Sequence, residues 1–128
     1  LLMPLQPYLK PHKFGSLIRV PIWWSERVHY DNGYSFREFD FPAMKEQGLK
    51  VLLFHPLHIY LNTDNITEIP KIINSIGGLK NANKETIDNF RKDGIGVEKL
   101  FIFCINYIKH NQNNHQTLNE YLLTYTSK

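Results

Sequence analysis

Leu49-Lys50-Val51-Leu52-Leu53-Phe54-His55-Pro56 is the stretch that decides how this chain is read. The Val-Leu-Leu-Phe run, introduced by Gln47-Gly48, predicts a strand over Leu49 to Phe54 buried on both faces, as parallel strands are. It stops where His55 meets Pro56. A second buried strand is predicted upstream over Ser16 to Trp24, where Leu17, Ile18, Val20, Ile22 and Trp23 run apolar and Pro21 marks its end. Between the two, Trp24 to Phe41 is polar and aromatic, with Asp31-Asn32-Gly33 as a turn. That segment reads as a loop of active-site size with room for one helical turn. Residues 1–15, with Pro4, Pro7, Pro11 and Gly15, read as an irregular entry.

Helical spacing follows. Ile66, Ile69, Ile72, Ile73 and Ile76 share a face, with Thr67 as N-cap, Pro70 in the tolerated first turn and Gly77-Gly78 as the stop. Asn83 opens a short helix through Phe90, and Val97 to His110 carries the clearest amphipathic pattern. Thr117-x-x-Glu120 is a capping box for a last helix that should bury Leu118, Tyr121, Leu122 and Tyr125. Two buried strands do not complete a parallel sheet. The expectation is an α/β fold of which residues 1–128 form the C-terminal part of a single domain. An opening of Leu1-Leu2-Met3-Pro4, without an initiator Met, fits a cut there.

Composition narrows the class. With 128 residues, 42% hydrophobic and 21% charged, the chain is neither disordered nor fibrous. The longest apolar stretch, Val51 to Leu61, is broken by His55, Pro56 and His58, so no membrane span is expected. The net charge of +3 is scattered, which argues against a nucleic-acid partner. Cys104 is the single cysteine, so no internal disulfide or thiolate metal cluster is available. Its apolar neighbours predict a small buried hydrophobe, and a single unpaired cysteine fits the expected reducing, cytoplasmic setting.

Chemistry in α/β folds gathers at the C-terminal ends of buried strands. The first end reads Arg19-Val20-Pro21-Ile22-Trp23-Trp24-Ser25-Glu26, with His29 close behind. Arg19 must either find a carboxylate or stand at an exposed edge. Trp23 and Trp24, beside Glu26 and His29, form either plain core or a wall for stacking on a sugar face. The second end reads Phe54-His55-Pro56-Leu57-His58-Ile59-Tyr60-Leu61-Asn62. His55, at a strand end and before a proline, is placed as a general acid or base, the alternative being a histidine satisfied by backbone. A zinc helix of HExxH type is not expected, because Pro56 argues against a helix there. Asp93-Gly94-Ile95-Gly96 reads as a helix-to-helix turn rather than a phosphate loop, and no GxSxG nucleophile elbow occurs.

Arg19-Val20-Pro21 followed by tryptophan, and the strand ending in Phe54-His55-Pro56-Leu57-His58-Ile59-Tyr60-Leu61-Asn62-Thr63, resemble polysaccharide deacetylases of the NodB-homology type, the family-four carbohydrate esterases. The nearer likeness is to deacetylase-like proteins of bacterial surface-polysaccharide and O-antigen clusters. The terminal Gln116-Thr117-Leu118-Asn119-Glu120-Tyr121 fits that likeness too. The resemblance implies a distorted (β/α) barrel that uses a divalent metal, often zinc, to hydrolyse N-acetyl groups from amino sugars of cell-surface carbohydrate. It implies that Arg19 orients a catalytic Asp, and that the N–H of Ile22, after Pro21, helps hold the oxyanion. His55 would protonate the leaving amine while His58 lines the pocket. Trp23, Trp24, Glu26 and His29 are the remaining substrate-binding candidates.

The family's Thr-Phe-Asp-Asp and His-Ser-x-x-His motifs, which supply the base and the metal ligands, do not occur here. The metal ligands are therefore expected outside this chain, and the isolated chain is expected to be inactive. The reading set against this one is a non-catalytic carbohydrate-binding or assembly module using Trp23, Trp24 and Tyr30. A third is a metal hydrolase with His55 and His58 as ligands.

Overall fold

The structure, a computed structural model, describes residues 11–34, 36, 48–111 and 117–126. The stretch expected as one buried strand over Ser16 to Trp24 divides in two. Its first part, Leu17–Arg19 (β2), pairs antiparallel with His12–Phe14 (β1), in the register His12↔Arg19 and Phe14↔Leu17. The reason is local: Gly15 takes a positive φ of 58° in the two-residue turn Gly15-Ser16 and folds β2 back on β1. This hairpin is exposed, Leu17 and Phe14 included.

The second part is Trp24–Ser25 (β3), which pairs in parallel with Leu52–Leu53 (β4), Trp24 opposite Leu52 and Ser25 opposite Leu53. The N–H groups of Trp23 and Trp24 extend the contact, donating to the carbonyl of Val51 at 2.9 and 3.3 Å. The parallel pairing agrees with the sequence reading. Its extent does not: each strand is two residues long, and Leu53 is exposed rather than covered on both faces.

Ser25 ends β3 and at once caps Glu26–Asp31 (α1), its Oγ accepting from the Val28 N–H at 3.3 Å. So the expected loop begins as a helix, which stops at Asn32-Gly33, where Gly33 takes φ 72°. Most of the remainder of that loop lies outside the described residues.

Pro56 does not forbid a helix; it starts one. It occupies the first position of Pro56–Leu61 (α2), where its missing N–H is no loss and its fixed φ is already helical. Glu68–Ser75 (α3) has Pro70 in its first turn and ends at two glycines with positive φ, Gly77 and Gly78. Thr67 stands at its N-cap but makes no cap bond; Asn65 Oδ1 instead accepts from the Thr67 N–H at 2.8 Å. A single 3-10 turn, Leu79–Asn81, leads to Lys84–Asp88 (α4), closed by a reciprocal Asn83–Thr86 box. Then come Val97–His110 (α5) and Leu118–Thr126 (α6), the latter begun by the expected Thr117–Glu120 pair. In α6 Leu118 is exposed and Tyr121 and Leu122 half-buried, short of the expected burial, and the Tyr125 side chain lies outside the described residues.

The result is a mixed α/β arrangement with helices after a small parallel pair. Val97, Leu100 and Cys104 line one face of α5 and pack with Trp23, Trp24 and Phe36 into one core. Leu61, Ile72 and Ile87 join α2, α3 and α4 in a second. Leu100 is wholly buried, a contribution of about 2 kcal/mol from apolar area alone. No helix among the described residues is long and apolar enough to cross a membrane.

Cys104 is buried, and that burial pushes its thiol up to about 11. Thiolate is the reactive form, so iodoacetamide near neutral pH should leave Cys104 unmodified in the folded chain and label it fully in denaturant. Mass spectrometry of the two samples checks this; rapid labelling of the folded chain would contradict the packing.

Candidate active site

The parallel register decides what meets what. Pairing Ser25 with Leu53 carries Glu26, the first residue of α1, to His55, the N-cap of α2. One carboxylate oxygen of Glu26, Oε1, accepts from the His55 backbone N–H at 2.5 Å. The other, Oε2, lies 2.8 Å from His55 Nδ1. Glu26 is 1% exposed while the His55 side chain is 55% exposed, so a buried carboxylate holds a histidine that faces outward. An ionised carboxylate accepts only, so Nδ1 carries the proton and Nε2 is left to the open side. The two oxygens fix both the ring and the backbone of the same residue.

His58 stands one helical turn further on, its ring centroid 6.1 Å from that of His55. Its Nδ1 is 2.6 Å from Thr63 Oγ1. Burial lowers the His58 pKa below its ordinary value; nearby Glu26 opposes that shift and His55 adds to it. The two histidines therefore sit in different surroundings, His55 on a carboxylate and His58 on a hydroxyl.

Behind them lies a clasp. Asn62 ends α2 in the left-handed region, φ 50° and ψ 46°, which asparagine tolerates better than most residues. Its buried side chain donates from Nδ2 to the carbonyls of Lys92 and Gly94, both at 3.1 Å. Its Oδ1 accepts from the Glu98 N–H at 3.1 Å, so it satisfies the open end of α5 from outside that helix. The next residue, Thr63, accepts from the Val97 N–H at 2.9 Å. Gly96 passes so near that a Cβ there would lie 2.3 Å from the Asn62 carbonyl oxygen. The α2 end carrying His58 and Thr63 is thus bound to the start of α5.

The other candidates are dispersed. Arg19 is exposed on the hairpin edge, and no hydrogen bond or ion pair joins it to His55 or Glu26 among the described residues. Ile22 is half exposed. Trp23 and Trp24, at 3% and 1% exposure, are core, so neither indole offers a face for stacking on a sugar. That removes the main support for the carbohydrate-module reading. His29 is also core: its Nδ1 accepts from Trp24 Nε1 at 3.4 Å, and its ring packs on Phe36. Glu26 and His29 were expected to meet substrate, yet both are buried, Glu26 with each oxygen engaged by His55.

The described residues do not fit a divalent metal. No group of three or more His, Cys, Asp or Glu among them could hold one. Glu26 is committed to His55, and His58 Nδ1 to Thr63. The reading of His55 and His58 as a ligand pair finds no third donor there.

A protein-family model described as WbmS-like: Polysaccharide deacetylase matches residues 1–72, more than half of the 128-residue chain. No curated protein and no solved structure matches. The matched span contains β1 to β4, α1, the Glu26–His55 pair and the whole of α2 with Thr63. The chain belongs to the WbmS-like polysaccharide deacetylase family.

Proposed function

We propose that this chain is the C-terminal part of a deacetylase domain, built as a distorted (β/α) barrel, that removes N-acetyl groups from amino sugars of cell-surface polysaccharide. The observation that carries the reading is the buried Glu26 carboxylate spanning the backbone and ring of His55 at 2.5 and 2.8 Å. Hydrolysis of an N-acetyl amide moves the acyl carbon from nitrogen to a water oxygen. As the C–N bond breaks, the nitrogen must take a proton, because an amide anion is too basic to leave. The proton the attacking water loses balances the one the nitrogen gains; His55, protonated at Nε2 as well as Nδ1, delivers it from Nε2, while Glu26 keeps the ring in position and faces the charge the ring carries. Glu26 acts through His55 and is a positioning residue; His55 is the catalytic one.

Arg19, exposed on the hairpin, is available to a carboxylate outside the described residues, and the Ile22 N–H stays the candidate oxyanion donor. The divalent metal implied by the resemblance is assigned to residues other than those described. The chain alone is expected to release no acetate.

The test is kinetic. In the longer protein acting on an N-acetylglucosamine oligomer, His55→Ala should lower kcat by about 10²–10⁴-fold, the range for loss of a general acid, with KM nearly unchanged. Acetate release is the readout. A rise in KM with kcat preserved would move His55 from proton transfer to binding and sink the proposal.

A further inference from the structure

Thr63 is 1% exposed, and its Oγ1 lies 2.6 Å from His58 Nδ1. A buried hydroxyl needs somewhere to donate its hydrogen. Its backbone groups are otherwise engaged: the N–H donates to the His58 carbonyl at 3.2 Å and the carbonyl accepts from Val97. Among the described residues, His58 Nδ1 is the one partner within hydrogen-bond distance of the hydroxyl. If Nδ1 carried the proton, it would point at Oγ1 and the hydroxyl hydrogen would be stranded in the interior. If Nδ1 is bare, the hydroxyl donates to it and nothing is left over. The second arrangement is the satisfied one. The proton of neutral imidazole then resides on Nε2.

We propose that Thr63 is a positioning residue that locks His58 as the neutral Nε2–H tautomer, making it a fixed hydrogen-bond donor to an oxygen of the sugar substrate beside His55. This rests on the deacetylase reading given above for the substrate, though not for the tautomer. The two histidines then divide the work. On Glu26, His55 has its Nδ1 protonated, and Nε2 can exchange a proton. On Thr63, His58 has Nδ1 occupied as an acceptor. Taking up a second proton would reverse the Thr63 bond and strand the hydroxyl hydrogen, so His58 donates a hydrogen bond without passing its proton on. The lowered pKa of His58 agrees with that assignment. So does the rigidity of its support, since Thr63 follows Asn62, which is bonded to the start of α5.

The experiment needs no activity. In the 128-residue chain labelled with ¹⁵N-histidine, at about pH 8, above the ordinary histidine value from which His58 is lowered, His58 should show a pyridine-type Nδ1 resonance and a pyrrole-type Nε2 resonance. Thr63→Val keeps the shape and removes the donor; the two resonances should then converge as tautomers mix. Thr63→Ser should restore the wild-type pair. A pyrrole-type Nδ1 in the wild type overturns the proposal, and so does a Thr63→Val spectrum unchanged from wild type. Should Thr63→Val fail to fold, Thr63→Ala, which removes the same hydroxyl, takes its place, with the same outcomes deciding. Failure of the deacetylase reading would show separately, as no acetate released from the N-acetylglucosamine oligomer by the unaltered longer protein.

Discussion

Glu26→Gln should lower the stability of the chain by about 2–3 kcal/mol, the scale of a buried hydrogen bond to a charged acceptor. The carboxylate is 1% exposed and accepts twice from one residue, from its backbone N–H and at its ring. An amide of the same shape has one acceptor and one donor. Either the His55 N–H must face an NH₂ group, or the ring must give up its Nδ1 proton and accept from that group; the charge-assisted contact is lost in both cases. The ring then has no carboxylate to face its charge, so the deacetylase proposed above should also lose about 10²-fold or more in kcat. Glu26→Asp keeps the charge but is one methylene shorter and cannot span both groups; it should fall between. Urea unfolding monitored by tryptophan fluorescence reads the first effect, because Trp24 adjoins the site. A Glu26→Gln chain as stable as wild type would mean that the pair does not form.

A larger loss of stability is expected from Gly96→Ala. Gly96 has φ −163° and ψ −159°, an extended conformation open to any residue, so backbone strain is not the issue. The obstacle is space. A methyl there meets the Asn62 carbonyl oxygen at 2.3 Å, Asn62 Oδ1 at 2.6 Å and the Thr63 carbonyl oxygen at 2.8 Å. Two of these are backbone atoms, which cannot swing aside as a long side chain can. Relief requires α2 and α5 to separate, which breaks the Asn62–Glu98 and Thr63–Val97 bonds. A cost of about 3 kcal/mol or more follows, at the upper end for overpacking. Thermal unfolding checks it. Gly94→Ala, at a position with open space and φ 90°, is the control, since it is strained by conformation and not by collision.

The features legible in the sequence were those written in local pattern. Val97 to His110 is a helix over those same residues, because its apolar spacing matches a core that lies on one side of it. Asn83 and Thr117-x-x-Glu120 cap as expected, since such bonds close within three residues. The parallel pairing was also legible, from the buried character of Val51 to Phe54. What misled was apolarity without length. Leu17 and Ile18 look like core, yet Gly15 turns them into a hairpin in which Leu17 is exposed and Ile18 only half-buried. Pro56 looked like a helix breaker and is a helix starter, a distinction that depends on where the first turn falls.

His55 stood out as a candidate because a histidine falls at a strand end. The role of Glu26 was not, because its partner is 29 positions away and only the Ser25–Leu53 register brings them together. Thr63 and Asn62 were in view as part of the resembling segment, but nothing in their spacing shows that one holds a ring and the other a helix. An Asn just past a helical run is the signal that could have marked the clasp.

That clasp has an evolutionary consequence. Asn62 is committed through three hydrogen bonds to the backbone around α5, and Gly96 is committed by the backbone in its way. Neither commitment involves a proton or a substrate. The contact between them is set by main-chain atoms on both sides, so neither position can change size without moving α2 against α5. Relatives should therefore alter these two positions together or not at all, whatever the histidines beside them do.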